Sequence, residues 1–283
     1  MDVRSLSGKA VVVTGAGSGI GRATALLAAR RRATLHLCDV NERGLDETAT
    51  QARNLGATAH TSRVDVANPD EMRAFAERVH ADVAAVDVLV NNAGVGLGAN
   101  FVDTTLEDWR WIVGINLLGP IHGCHYFLPR MIERRRGGHI VNVASMAAFV
   151  PSEGTIAYGT TKYGVVGFSE YLRVEVLQHG IGVTAICPGV INTPIVHAAR
   201  TRGVYDVPHF RTWMGDTFRR RNYGPERVAH AIFQAIQHDR AIAPVAPEAW
   251  LAYFLKRASP RLTHRISRGI TARLRRDVLQ SGG

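Results

Sequence analysis

Short runs rich in β-branched residues recur along this chain with longer alanine-rich stretches between them, and that alternation limits the fold more than any other feature. The runs are "KAVVVTG", "TLHLCDV", "ATAHTSRVDV", "VDVLVNN", "GGHIVNVAS" and "GIGVTAICPG", with a further one, "AIAPVAP", at 241–247. Strands separated by helix-length segments do not close tight hairpins, so they pair in parallel through βαβ crossovers. Several runs are apolar without period-two alternation, as suits strands covered by helices on both faces. The sequence predicts a three-layer, doubly wound α/β fold around a parallel sheet of about seven strands. A chain of 283 residues with 46% hydrophobic content can bury such a core. No repeat or low-complexity linker interrupts the pattern, so residues 1–247 are expected to form a single domain.

The first run leads through "TGAGSGIG", Thr14 to Gly21, into the helix-like "RATALLAARR". Glycines at a strand-to-helix turn let the backbone approach a pyrophosphate, and the helix N-terminus adds N–H donors and the positive end of its dipole. The turn fits T-G-x-x-x-G-x-G through Gly15, Gly19 and Gly21. It fails G-x-G-x-x-G, because Ile20 and Arg22 stand where glycine is required. Gly17, Ser18 and Ile20 complete the stretch expected to face a dinucleotide. Asp39 ends the second run 18 residues after Gly21, where a carboxylate accepts hydrogen bonds from the adenosine ribose and repels a 2′-phosphate. NAD is therefore expected over NADP, with Arg22 and Arg43 the residues able to offset the repulsion.

A second constellation lies in "AYGTTKYG", 157–164, where Tyr158 and Lys162 fall one turn apart on one helix face. An ammonium beside a phenol favours the phenolate and lowers its pKa from the usual ~10.

Composition excludes several classes. Cys38, Cys124 and Cys187 are scattered and odd in number, so neither a disulfide framework nor a metal site is expected, and they read as buried thiols in a reducing compartment. The leading "MDVRSLSGKAVVV" has no signal-peptide pattern, and no apolar run reaches the length of about 18 residues that marks a membrane span, so a cytoplasmic protein is expected. The net charge of +10 invites a nucleic-acid partner. The excess gathers late, in "FRRRNYG" and "KRASPRLTHRISRGITARLRR", rather than being interleaved with aromatics in the central part, and no nucleic-acid partner is expected.

With "TGAGSGIG", "NNAG" at 91–94, Asn116 in "GINLLG", Ser145 in "IVNVASM", Tyr158 and Lys162 in "YGTTK", and "PG" at 188–189, the sequence resembles the short-chain dehydrogenase/reductase family. The resemblance runs from about residue 8 to 194, and Ser145 precedes Tyr158 by 13 positions, as in that family. It implies a Rossmann fold, a nicotinamide dinucleotide, and a catalytic set of Asn116, Ser145, Tyr158 and Lys162. In such a site Tyr158 exchanges a proton with the carbinol oxygen and Ser145 donates a hydrogen bond where charge develops on it. The resemblance gives Lys162 a second task on the nicotinamide ribose and Asn116 the anchoring of a relay water. It sets Asp65 and Val66 beside the adenine, and Asn91, Asn92, Ala93 and Gly94 around the cofactor. Pro188 and Gly189 fall against the nicotinamide, and Ile191 and Thr193 at its carboxamide. It also implies a homo-oligomer, dimer or tetramer.

Residues 195–223 correspond to the family's variable substrate loop and bring Tyr205, Phe210, Trp213, Met214 and Phe218. With Met146, Phe149 and Val150 after Ser145, they describe an apolar lid over a steroid-, terpenoid- or lipid-like substrate. Phe210 and Trp213 join Ser145, Met146 and Tyr158 as expected substrate contacts. Beyond 247, residues 248–283 form a basic extension in which Leu251, Phe254, Leu255, Ala258, Leu262, Ile266, Ile270 and Leu274 recur at three- and four-residue steps. This describes amphipathic helices broken at Pro260, able to rest on an anionic membrane, cover a cleft or pack on another subunit. The function expected is an NAD-dependent dehydrogenase or ketone reductase acting on an apolar secondary alcohol or its carbonyl partner. An NADP-dependent carbonyl reductase is the near alternative. A non-catalytic, membrane-associated dinucleotide-binding scaffold is the distant one, and it would not need Asn116, Ser145, Tyr158 and Lys162 in register.

Overall fold

The computed structural model describes residues 5–196 and 198–274, with backbone alone at 273 and 274. The expectations for residues 1–4, His197, the side chain of Leu274 and the tail from 275 to 283 lie outside the described residues.

The first half runs β1 Ala10–Thr14, α1 Gly19–Arg30, β2 Thr34–Asp39, α2 Glu42–Asn54, β3 Ala59–Arg63, α3 Pro69–Asp82 and β4 Val88–Asn91. Next come a two-residue strand β5 (Leu97–Gly98), α4 Leu106–Val113, a π-helical turn Gly114–Leu118, α5 Gly119–Arg134, β6 Gly138–Val143, α6 Ile156–Val176 and β7 Ile181–Pro188. The remainder is β8 Arg200–Thr201, α7 Pro208–Arg221, α8 Pro225–Gln237, β9 Ile242–Val245, α9 Pro247–Ala258 and α10 Pro260–Leu274.

Seven strands form one sheet in the order β3-β2-β1-β4-β6-β7-β9, every neighbour parallel. This is the doubly wound Rossmann arrangement that the alternation predicted. Val11, Val12, Val13, Leu35, Leu37 and Leu89 are fully buried, since helices cover both faces. Ala25 and Ala28 of α1, Leu45 and Ala49 of α2, and Ile232 and Phe233 of α8 pack one face. Phe75 of α3, Phe127 and Met131 of α5, and Leu172 of α6 pack the other. Each large apolar side chain enclosed this way contributes about 2 kcal/mol. Beneath this packing Asn91 donates to Asn142 at 2.8 Å and Asn142 to Ser169 at 3.0 Å, a thread that ties β4 and β6 to α6 and fixes the helix carrying Tyr158.

Helix starts follow local chemistry. Asn41, Asn68 and Thr105 cap α2, α3 and α4, and Thr105 with Asp108 forms a reciprocal capping box. At α1, Ser18 makes no capping bond and the first turn holds no acid, so its leading N–H groups remain open.

The 195–223 segment, read from the sequence as an insertion on this domain, contains a clamp and then a helix. β5 and β8 pair in parallel. Asp108, only 1% exposed, receives Arg202 through Nε at 3.0 Å and Nη2 at 2.9 Å. Arg200 approaches the same carboxylate at 3.5 Å while its guanidinium lies 3.9 Å over Trp111. α7 then leaves this fastened base.

Candidate active site

In a sheet of this order the cleft opens beyond the C-terminal strand ends, between β1 and β4, where the strand order reverses. A cavity of about 1450 Å³ fills it and runs from the glycine turn to the insertion.

Gly15 and Gly19 have φ of +64° and +51°, the left-handed region that glycine tolerates. A β-carbon on Gly15 would come within 2.7 Å of Ala93 Cα, and one on Gly21 within 2.0 Å of Gly15 O. Gly15, Gly17, Ser18, Gly19 and Ile20 line the cavity. Gly21, expected with them, lets α1 pack against the turn instead. The open N–H groups of α1 face this cavity, an arrangement that fits a pyrophosphate. The second Asn of "NNAG" supports the turn: Asn92 Nδ2 donates to Thr14 O and Gly15 O, both at 3.0 Å. Ala93 and Gly94 line the cavity beside it, whereas Asn91 points into the core towards Asn142, away from the expected cofactor contact.

At the far end Asp39, Asp65 and Val66 line the same space. The Asp39 carboxylate accepts from Gly17 N at 2.8 Å and from Asn41 N at 2.9 Å, so both oxygens are oriented by backbone. Arg22 is tied back: it donates to Gly17 O at 2.6 Å, Gly44 O at 3.0 Å, Thr48 at 2.9 Å and Glu47 at 3.1 Å. Arg43 also meets Glu47, at 3.3 Å. Arg43 keeps a 90% exposed side chain and lines the cavity with Asp39.

Of the four expected catalytic residues, Ser145, Tyr158 and Lys162 line the cavity, and Asn116 is buried behind it. Ser145, 8% exposed, follows β6 and accepts from Ala147 N at 3.2 Å. Its hydroxyl also acts to lower the pKa of the Tyr158 phenol. Lys162, 3% exposed, lies with Nζ 5.8 Å from the Tyr158 ring centre and donates to Val143 O at 2.9 Å. Burial pushes its ammonium down to about 8. Tyr158 lines the cavity, and burial raises its pKa against the opposing effect of Ser145. Desolvation of the phenol outweighs the lowering expected from the Lys162 ammonium, which lies 5.8 Å from the ring centre.

Asn116 sits in the π-helical turn, fully buried. It accepts from Val95 N at 2.8 Å, donates to Val95 O at 2.9 Å, and reaches Thr161 at 3.3 Å. These bonds make its side chain a brace between Val95 and α6. Asn116 Oδ1 and Lys162 Nζ flank Gly94, where an added β-carbon would meet each at 3.3 Å.

Pro188, Gly189, Ile191 and Thr193 line the cavity as expected. Glu248, at the start of α9, holds this turn by accepting from Val190 N at 3.1 Å and pairing with Arg221 of α7 at 2.7 Å. Nothing in the sequence marked that residue, which lies 58 positions from its partner. Met146, Val150, Phe210, Trp213, Met214 and Phe218 line the apolar end. Tyr205 is buried edge-on against Phe210 with ring centres 5.1 Å apart. Phe149, expected on this wall, is buried and packs on Tyr253 at 5.3 Å. Ile270 of α10 also reaches the cavity. Among the described residues no cluster of His, Cys, Asp or Glu could hold a metal ion, and no helix is long and apolar enough to cross a membrane.

Residues 9–203 match the sequence family described as short chain dehydrogenase. The Mycobacterium tuberculosis protein named as oxidoreductase EphD is 42% identical over 270 residues, 94% of this chain and 45% of that protein. The chain thus spans less than half the length of that relative. Human estradiol 17-beta-dehydrogenase 11 is 38% identical over 196 residues, 68% of this chain and 65% of that protein. A short-chain dehydrogenase/reductase from Burkholderia phymatum, solved in complex with NAD, superposes with a TM-score of 0.83 at 31% identity, covering 93% of this chain and 96% of that one.

Proposed function

The chain belongs to the short-chain dehydrogenase/reductase family, and from that premise we propose that it interconverts an apolar secondary alcohol and its ketone with NAD as hydride carrier. The observation that carries this reading is the meeting of Ser145, Tyr158 and Lys162 in one cavity between a glycine turn and an apolar insertion. When bound, the nicotinamide supplies or accepts a hydride at its ring C4. Ser145 donates its hydroxyl proton in a hydrogen bond to the substrate oxygen and orients that oxygen to Tyr158. In ketone reduction the Tyr158 phenol gives its proton to the oxygen, and burial keeps it protonated for that step. In alcohol oxidation it must take the proton, which is favoured once positive charge lies beside it. Lys162 supplies such a charge and holds the ribose side of the cavity, while Asn116 braces both through Val95 and Thr161.

NAD is favoured over NADP because Asp39 faces the adenine end with both oxygens fixed and Arg22 is tied elsewhere. The NAD-bound relative supports the same choice. The apolar insertion supports a large hydrophobic substrate, and the relative named for estradiol agrees with a steroid-like one. Buried thiols at Cys38, Cys124 and Cys187 suit a cytoplasmic setting. A homo-oligomer belongs to the same reading, since Tyr163, Tyr171 and Val174 stand 58%, 85% and 77% exposed on α6.

The test is nicotinamide absorbance with NAD⁺ or NADP⁺ across secondary alcohols graded from small to steroid-sized. Turnover that rises with apolar size and prefers NAD⁺ supports the reading. Cofactor binding with no turnover of any alcohol or ketone in the series would favour the scaffold alternative.

A further inference from the structure

The polarity of α10 is reversed for a helix that only packs on its own chain. Thr263 and Ser267 are turned inward at 1% and 8% exposure, while Leu262, Ile266 and Ile270 stand out at 42%, 38% and 51%. These three recur every four residues and form one ridge along about 12 Å of helix. α9 repeats the pattern, with Ala249 and Ala252 buried and Trp250, Leu251 and Phe254 left 37%, 61% and 58% exposed. Trp250 and Phe254 stack with ring centres 5.6 Å apart, so the outward surface is ordered. A ridge of this kind needs an apolar partner.

Charge identifies the partner. Pro260–Leu274 contains no acidic residue, and Arg261, Arg265 and Arg268 are exposed without an acidic partner among the described residues. Two copies of such a face would repel each other. An anionic lipid surface would meet the arginines at its headgroups and the ridge at the acyl boundary. Position adds a second argument, because Ile270 at the ridge's end and the partly exposed Trp213 both line the cavity. Tryptophan suits the membrane–water boundary.

We infer that α9 and α10 dock on an anionic lipid bilayer and that the mouth between Ile270 and Trp213 takes its apolar substrate from that surface. Docking stands on the ridge and its arginines; the substrate route rests on the oxidoreductase reading above.

The experiment is sedimentation of the full chain with vesicles of phosphatidylcholine alone or mixed with phosphatidylglycerol, at low and high salt. The expected result is pelleting with the anionic vesicles that weakens with salt. Leu262→Glu with Ile266→Glu, at exposed positions outside the cavity lining, should abolish pelleting. Reversing Arg261, Arg265 and Arg268 to Glu should lower partitioning at least about 100-fold. Wild-type protein left in the supernatant overturns docking, as does a double variant that pellets unchanged. If instead light scattering shows that the double variant splits a dimer and no vesicle binds, the face belongs to a second copy. Turnover of a water-soluble alcohol in lipid-free buffer is read in parallel. Its absence would count against the oxidoreductase reading and leave the docking result standing.

Discussion

Lys162→Met should make the cofactor-free protein more stable while it removes turnover. Lys162 is 3% exposed and its ammonium is pushed from 10.5 down to about 8 by burial. A depression of that size corresponds to about 3 kcal/mol of disfavoured charge in the folded state. Methionine keeps the packing of the stem but leaves Val143 O without its donor at 2.9 Å, a loss of about 1 kcal/mol. The balance is about 2 kcal/mol in favour of the variant at pH 7, or roughly 4–8 °C in Tm. The folded pKa lies below the unfolded one, so between about 8 and 10.5 the unfolded chain binds more protons and wild-type stability rises with pH. The variant's advantage is therefore full at pH 7 and smaller at pH 9. Urea unfolding of both proteins at the two pH values, without nicotinamide, reads this directly. A variant less stable than wild type at pH 7, or an advantage that does not shrink at pH 9, refutes the reasoning.

Asp39→Ser removes the carboxylate that accepts from Gly17 N and faces the adenine end; the ratio of NAD to NADP affinity, measured by titration, should fall at least about tenfold, and an unchanged ratio would contradict the assignment. Gly21→Ala forces a β-carbon to 2.0 Å from Gly15 O; the turn must open, with a stability loss of about 1–3 kcal/mol and weakened NAD binding in the same titration. Asp108→Asn keeps size but removes the charge shared by Arg202 and Arg200; loss of about 2 kcal/mol at the clamp should appear as roughly thirtyfold faster trypsin cleavage in the insertion.

The fold was legible because burial on both sheet faces demands runs such as "AVVVT" and "VLVN", and those runs are local. The glycine turn, Ser145, Tyr158 and Lys162 were legible for a related reason: each sits at a strand end or on one helix turn, where spacing along the chain fixes spacing in space. What escaped was set by contacts distant in sequence. Glu248 reaches Val190, Arg22 is captured by Gly17 and Gly44, and Phe149 turns to Tyr253 instead of the substrate. The tail helices and their break at Pro260 were readable from period, but not that the apolar stripe faces outward, because periodicity gives a face without saying what that face meets. Nor does spacing reveal where an ammonium points. The net direction of the Tyr158 shift was missed because burial of the phenol, which spacing does not give, outweighs the nearby charge, while the Lys162 ammonium donates to Val143 O.

The central claim is that Tyr158 moves the proton in the cavity that also cradles the cofactor. The most direct test is Tyr158→Phe, with NADH affinity followed by fluorescence and turnover followed on the best secondary alcohol. The account predicts affinity within a few-fold of wild type and turnover lower by about 10²–10⁴-fold. Turnover within about tenfold of wild type would contradict it, and the proton would then have to be carried by another group.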